Sequence, residues 1–178
     1  MHFITQTDRC YLRNIIPEDA QDMFELDSDP EVMKYLVHKP VSRIEETEAI
    51  IQRVLWQYKE FGMGRWAVIN KETGEWMGWT GMKYETQPFH GKEPYHDLGY
   101  RFKKKFWGQG YGYETAVEGL RWGIEELKVP VINAFAHINN AGSNRILQKL
   151  GFEKIDKIFA HDSWNNWYQF RNSHIPSI

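Results

Sequence analysis

A cluster of glycines, Gly108-Gln109-Gly110-Tyr111-Gly112, constrains this chain more than any other feature of its sequence. The cluster follows a strand-like stretch, 97–102, and precedes a stretch whose apolar residues recur at helical spacing, up to Leu127. The first amides of a helix have no partner inside the helix, and glycine lets a backbone approach a ligand closely. The sequence therefore predicts an anion site at a helix N-terminus, suited to a pyrophosphate.

Spacing separates this cluster from two other phosphate motifs. A Walker loop requires Gly-Lys-Ser or Gly-Lys-Thr, which the cluster lacks. A Rossmann fingerprint requires an acidic residue about 20 positions further on, whereas Glu125 and Glu126 come too early, in the same predicted helix. Four cations lie just upstream, and they either neutralise further phosphates or form a solvated charged loop. These are Arg101, Lys103, Lys104 and Lys105.

Composition narrows the class of protein. The 178 residues suit one domain, 1–178, and no apolar run approaches the length of a membrane helix. The net charge of −2 argues against nucleic acid as a partner. Residues 1–6 lack the features of a secretory signal, so we expect a cytoplasmic protein. The single cysteine, Cys10, excludes a disulfide framework or a cysteine-rich metal site within one chain.

The remaining segments alternate between hairpins and helices, which predicts an α+β fold with a mixed central sheet. Strands are predicted at 10–15, 65–69, 75–80, 97–102, 131–137, 152–159 and 167–171. Helices are predicted after Pro17, between a Ser42-x-x-Glu45 capping box and Gly62, after the glycine cluster, and at 141–150. The stretch 85–94, with three Pro or Gly residues, is the most loop-like part of the chain.

Three sequence blocks in this order resemble GNAT acetyltransferases. The first block is Trp107 to Ala116, which is similar to the acetyl-CoA loop of the family. The second is Asn140-Ala141-Gly142-Ser143-Asn144-Arg145 followed by Leu150-Gly151-Phe152, and the third comprises Leu12-Arg13, Pro17 to Ala20 and Ser28 to Met33. The resemblance runs from about Tyr11 to Phe170 and is strongest to the subgroup of ribosomal-protein-alanine N-acetyltransferases.

The resemblance implies a three-layer α/β/α fold, with a mostly antiparallel sheet of about seven strands flanked by helices. It also implies acetyl-CoA as cosubstrate and direct attack of an amine on the thioester, without a metal or a covalent intermediate. The cofactor-binding residues carried over are Tyr100, Arg101, Phe102, Lys103, Gly108, Gln109, Gly110, Tyr111, Gly112, Tyr113, Glu114, Thr115, Asn140, Ser143 and Asn144. Two positions depart from the family pattern: Trp107 replaces Gln or Arg, and Leu147 replaces a tyrosine acid.

The resemblance also suggests the catalytic residues. Asp97 is similar in position to the acid that serves as base in several GNAT members, or else it is an exposed carboxylate at a strand end. A backbone N–H between about Tyr100 and Lys103 would bind the oxyanion. Ser143 would donate to the leaving thiolate, or it is a helix-start serine. Asn140 would orient the pantetheine arm of CoA, or it caps the helix.

No motif fixes the acceptor. A protein or peptide N-terminal amine is the first choice, and a small amine is the second. An α-amino group has a pKa of about 8 and an alkyl ammonium one of about 10.4, so the need for a base depends on the acceptor. The alternative from another class is a catalytically silent acyl-CoA-binding sensor or interaction module, because the cofactor loop is a stronger signal than the acid/base residues. We expect a monomer or a homodimer.

Overall fold

A computed structural model of the chain describes residues 4–36, 39–89, 91–160 and 162–172. Its strands form one sheet of eight, in the order β1-β2-β3-β4-β5-β6-β8-β7. The strands are β1 (Thr5–Gln6), β2 (Cys10–Asn14), β3 (Arg65–Asn70), β4 (Trp76–Glu85), β5 (Tyr95–Phe102), β6 (Val131–His137), β7 (Glu153–Ala160) and β8 (Ser163–Arg171). The helices are α1 (Ala20–Ser28), α2 (Pro30–Met33), α3 (Ile44–Phe61), α4 (Tyr111–Glu125) and α5 (Ala141–Lys149).

All neighbouring strands are antiparallel except β5 and β6, which run parallel. This confirms the mixed, mostly antiparallel sheet, with β1 as a strand that the sequence analysis did not anticipate. The parallel pairing is short, since it joins only His96 to Ile132 and Asp97 to Asn133. Beyond Asp97 the two strands diverge, which opens a gap in the middle of the sheet.

Apolar side chains cover both faces of the sheet. On one face α1 and α3 pack over a cluster that includes Ile15, Met23 and Ile51. On the other face α4 packs closely, because a Cβ at Gly119 would lie 3.2 Å from the Cα of Gly81. The predicted helices and strands thus assemble into three layers. In the described residues, no helix is both long and apolar enough to cross a membrane.

The start of α3 differs from the prediction. The helix begins at Ile44, and the carboxylate of Glu46 accepts hydrogen bonds from the backbone N–H of Ser42 and of Arg43, each at 3.1 Å. The capping box predicted between Ser42 and Glu45 is therefore wrong. Glu46 takes the capping role because it is the third residue of the helix and can reach back to those amides. The predicted end is confirmed, since Gly62 follows Phe61 in the left-handed conformation.

Candidate active site

A cleft of about 730 Å³ occupies the gap between β5 and β6. The glycine cluster and the first turn of α4 line one end of the cleft, and the N-terminus of α5 lines its side. Residues of α2 and of the turn after it also line the cleft, together with residues of β3, β4 and β5. One continuous cavity thus connects an anion site with the centre of the sheet.

The phosphate loop, which we define as residues 107–113, exposes unpaired amides to the cleft. The first hydrogen bond of α4 runs from the N–H of Glu114 to the carbonyl of Gly110, at 3.0 Å. The amides of Tyr111, Gly112 and Tyr113 therefore have no acceptor within the helix. Gly108 and Gly110 have φ values of +72° and +87°, a backbone conformation that favours glycine. The three unpaired N–H groups, next to glycines that let a ligand approach the backbone, fit a bound pyrophosphate.

Arg9, in the turn between β1 and β2, holds the phosphate loop from outside. Its Nε donates to Glu114 at 2.7 Å, and its Nη2 donates to the carbonyl of Gln109 at 3.0 Å. The guanidinium also lies 4.0 Å from the ring centroid of Tyr111. No sequence pattern points to Arg9, because about 100 residues separate it from the loop that it contacts.

The structure does not bring every predicted cofactor residue to the cleft. Five of them are absent from its lining: Lys103, Gln109, Glu114, Thr115 and Asn144. Gln109 donates to the carbonyl of Lys105 at 2.8 Å, and Glu114 binds Arg9. The hydroxyl of Thr115 is buried and donates to the carbonyl of Tyr111 at 2.9 Å. These three side chains shape the phosphate loop rather than face it.

Lys103 and Asn144 are also engaged elsewhere. The ammonium of Lys103 is ion-paired with Asp22 at 2.8 Å and with Glu25 at 2.6 Å. The amide of Asn144 donates to the carbonyl of His137 at 2.9 Å and accepts from the hydroxyl of Tyr168 at 2.8 Å. Both side chains thus join elements of the fold and lie outside the lining of the cleft.

Two amides of β5 face the gap. The N–H of Lys103 donates to the carbonyl of Met77, on the β4 side, at 3.0 Å. Because successive N–H groups of a strand point to opposite sides, those of Tyr100 and Phe102 point away from β4. They are free because β6 has diverged at this level. Of the predicted oxyanion donors, Tyr100 to Lys103, only the N–H groups of Tyr100 and Phe102 therefore point into the gap, because that of Lys103 is bonded to Met77.

Asp97 lies at the point where β5 and β6 separate. It is only 4% exposed and lines the cleft, so the alternative of an exposed strand-end carboxylate is wrong. Its carboxylate accepts a hydrogen bond from Nη2 of Arg65, and its backbone carbonyl accepts one from Nη1 at 3.0 Å. Burial raises the pKa of Asp97, while the charge of Arg65 acts in the opposite direction.

Arg65 reaches Asp97 by crossing the strand between them, β4. Arg65 on β3 is in register with Gly81 on β4, which in turn is in register with Gly99 on β5. A Cβ at Gly99 would lie 2.7 Å from Nη2 of Arg65. The guanidinium therefore fits beside β5 only because residue 99 has no side chain. Trp79 flanks it, with its ring centroid 5.1 Å from Cζ. Sequence reasoning missed Arg65, although the glycine spacing on β4 and β5 is a signal of close approach.

The N-terminus of α5 combines a cap with two hydroxyl groups. The side-chain oxygen of Asn140 accepts a hydrogen bond from the N–H of Ser143 at 3.1 Å, which is the capping alternative considered for Asn140. The hydroxyl of Ser143 lies 3.1 Å from that of Tyr100. Burial raises the pKa of Tyr100, so its phenol keeps its proton. Leu147 lines the cleft one turn further along α5.

A sheet that splays beside a phosphate loop forms a cleft whose backbone donors suit an acyl-CoA. The chain matches the model of the Acetyltransferase (GNAT) domain over residues 9–153, so it belongs to the GNAT acetyltransferase family. It is an N-acetyltransferase, and acetyl-CoA is its acetyl donor. The phosphate loop, with its free amides and glycines, suits the pyrophosphate of this cosubstrate.

Relatives and solved structures agree with the family. The chain is 30% identical over 154 residues to the uncharacterized N-acetyltransferase YoaA of Bacillus subtilis, covering 85% of this chain and 83% of the relative. The spermidine N-acetyltransferase of Vibrio cholerae, solved with CoA and spermine, has a TM-score of 0.76 at 14% identity and covers 93% of this chain and 96% of its own. RimL, a ribosomal L7/L12 α-N-protein acetyltransferase solved with CoA, has a TM-score of 0.77 at 14% identity, with 96% and 98% covered. At such identities these two structures are similar to the chain in fold alone.

Proposed function

We propose that the protein transfers the acetyl group of acetyl-CoA to a primary amine by direct attack in a ternary complex, with residues 1–178 acting as one catalytic domain. The observation that carries this proposal is the gap between β5 and β6. It places the phosphate loop, two free strand amides and a buried carboxylate along one cleft. Such an arrangement holds a thioester at one side of Asp97 and leaves room for an amine at the other.

The amides of Tyr100 and Phe102 stabilise the transition state. As the amine nitrogen bonds to the thioester carbon, negative charge develops on the carbonyl oxygen. Backbone N–H groups already fixed by a strand bind that charge without reorganising, and one such donor contributes on the order of 100-fold to a rate. Both groups lie in the part of β5 that β6 does not cover.

Asp97 accepts the proton that the attacking amine releases. Its raised pKa brings the carboxylate nearer to the range in which a general base works at neutral pH. The sign follows from that direction: the base is competent above its raised pKa, and activity is lost as the pH falls through it. Arg65 fixes the carboxylate in place, because it contacts both the side chain and the backbone of Asp97.

The hydroxyl pair of Tyr100 and Ser143 serves the leaving group. When the carbon–sulfur bond breaks, the thiolate needs a hydrogen-bond donor and then a proton. Ser143 is a weak acid by itself, but its hydroxyl lies 3.1 Å from a phenol that keeps its proton. The pair therefore supplies a hydrogen bond to the developing thiolate in place of the tyrosine that Leu147 excludes from α5. The thiolate takes its proton from solvent, because a phenol of raised pKa is too weak an acid to give one up.

The first-choice acceptor is the N-terminal amine of a protein or peptide, and a small amine is the second. The sequence resemblance to the ribosomal-protein-alanine subgroup and the fold of RimL support the first choice. The similar fold of the spermidine enzyme supports the second choice, a small amine. We place the reaction in the cytoplasm, where acetyl-CoA is available.

The test is to follow release of free thiol from acetyl-CoA with a panel of peptides and small amines. Transfer to at least one amine is expected, and release no faster than the background with every acceptor refutes the proposed activity.

Asp97→Asn tests the base. The variant should lose the step in kcat/KM that titrates at the raised pKa of this carboxyl, and its rate should fall by about 100-fold or more. An unchanged pH profile rejects Asp97 as the base while leaving the acetyl transfer itself intact.

A further inference from the structure

We propose that the acceptor end of the cleft is selective for monoamines whose nitrogen is carried by an apolar or aromatic group, and that Arg65 sets this selectivity by neutralising Asp97. The acceptor end is the part of the cleft lined by Val32, Tyr35, Trp79 and Asp97. This inference rests on the proposed acetyl transfer to an amine and names the substrate class.

Charges around the acceptor end cancel in pairs. Among the described residues, the four carboxylates that face it or flank its lining each have a cationic partner. The pairs are Asp97 with Arg65, Asp27 with Arg101, Glu31 with Lys104, and Glu85 with Lys83. His137, at the far wall, accepts a hydrogen bond from the N–H of Asn139. The two buried pairs, Asp97 with Arg65 and Asp27 with Arg101, form what we call the floor of the acceptor end, which thus carries no carboxylate available to a second ammonium group.

The two pairs at the floor are the most buried. The side chains of Asp97 and Asp27 are 6% and 3% exposed, and those of Arg65 and Arg101 are 10% and 17% exposed. Both guanidiniums also lie against Trp79, with Cζ at 5.1 Å and 5.0 Å from its ring centroid. Breaking one of these pairs leaves an uncompensated buried charge, which is strongly unfavourable.

A polyamine is therefore a poor acceptor for this cleft. Its reacting nitrogen enters as a neutral amine, but its other nitrogens stay protonated at neutral pH. An ammonium at the floor must either displace Arg65 or Arg101 from a carboxylate or stay unpaired. Both outcomes cost free energy that a monoamine avoids. The exposed carboxylate of Glu31, 3.6 Å from Lys104, offers an ammonium little in return, because ion pairs in contact with water contribute little, so the matched charges discriminate against polycations.

The walls of the acceptor end suit an apolar group instead. Val32, Trp79 and Phe135 present apolar surface to the cleft. Phe135 is stacked on Trp167 with ring planes 5° apart, which fixes its orientation. The ring centroids of Tyr35 and His137 lie 5.2 Å apart, so the two side chains are in contact and together form one part of the wall. An aromatic or aliphatic group beside the nitrogen would pack against these side chains.

The experiment compares hexylamine with hexamethylenediamine, which have the same carbon chain and differ by one ammonium group. The wild-type protein should acetylate hexylamine with a kcat/KM on the order of 100-fold higher. Phenethylamine should be at least as good as hexylamine. Equal or better use of the diamine overturns the inference. Phenethylamine and a Phe-Ala-Ala peptide share the chemistry at the nitrogen, so their relative rates show whether the amine comes from a small molecule or a peptide N-terminus.

Two variants test Arg65 itself. Arg65→Gln removes the cation that neutralises Asp97, and it should shift the ratio of the two rates at least about tenfold toward the diamine. Arg65→Lys keeps the charge and should keep the wild-type ratio, which separates charge from packing. If Arg65→Gln is folded and its ratio is unchanged, Arg65 does not set the selectivity. If it is unfolded, the wild-type ratio alone decides.

Calorimetric titration of both amines into the protein with CoA separates this inference from the proposed function. If no amine is acetylated, the proposed activity is refuted. Tighter binding of hexylamine than of the diamine in that titration still supports the charge argument, and the reverse order overturns it.

Discussion

Replacing Gly110 by alanine should weaken CoA binding without disturbing the rest of the fold. Gly110 has a φ of +87° at the N-terminus of α4, a conformation that costs a residue with a Cβ about 1–2 kcal/mol. The added Cβ would meet only the Nη2 of Arg9, at 3.4 Å, which is an ordinary contact. The effect therefore comes from the backbone rather than from a clash.

This strain should appear in the affinity for CoA. The loop from Gly108 to Gly110 is exposed, so in the free variant it can relax to another conformation. Binding requires the left-handed conformation again, because only then do the amides of the first turn of α4 converge on the pyrophosphate. A cost of about 1–2 kcal/mol corresponds to a dissociation constant about 5- to 30-fold higher.

Gly74 provides a matched control. It lies in the turn between β3 and β4 with a φ of +72°, and a Cβ there would have no neighbour within 4 Å. Gly74→Ala should lower the stability of the protein by a similar amount and leave CoA affinity unchanged. Affinities from calorimetry and unfolding free energies from urea titration complete the comparison. Unchanged CoA affinity in Gly110→Ala, or an equal loss of CoA affinity in Gly74→Ala, would refute the assignment of the phosphate loop to the pyrophosphate of CoA.

Three further substitutions test other parts of the structure. Tyr100→Phe should lower the rate constant of acetyl transfer in single-turnover assays about 10- to 100-fold with little change in CoA affinity, because it removes the phenolic hydroxyl beside Ser143. A wild-type rate constant in this variant contradicts the role of Tyr100. Arg9→Ala should raise the CoA dissociation constant a few-fold, whereas Arg121→Ala, which removes an equally exposed arginine from α4, should not. Asp19→Ala leaves the buried guanidinium of Arg13 without its carboxylate, so the unfolding free energy measured in urea should fall by about 3–5 kcal/mol. A loss below about 1 kcal/mol would show that water reaches the guanidinium of Arg13.

Local sequence signals account for most of the elements and for the phosphate loop. The glycines at 108 and 110 have the positive φ values that a turn into a helix N-terminus requires, and this signal lies within five residues. Helices with an apolar stripe, such as α3 and α4, were predicted for the same reason. Their ends were less accurate: α4 ends at Glu125, short of the predicted Leu127.

Contacts between distant segments account for what the sequence did not reveal. Asp97 was predicted as a candidate base, but its burial and its pairing with Arg65 depend on the register of three strands across 32 positions. The contact of Tyr100 with Ser143 spans 43 positions. A motif also does not state which way a side chain points, so Glu114 and Asn144 were assigned to the cosubstrate although they bind other parts of the protein.

The short pairing of β5 with β6 also has a mechanical consequence. Two register pairs join a five-stranded antiparallel half, β1 to β5, to a three-stranded half, β6 to β8. With so few hydrogen bonds between them, the halves can fluctuate against each other at lower cost than strands can separate within either half. A thioester arm lying in the gap would bridge both halves, so cosubstrate binding would stiffen the whole sheet and order the acceptor end before the amine arrives.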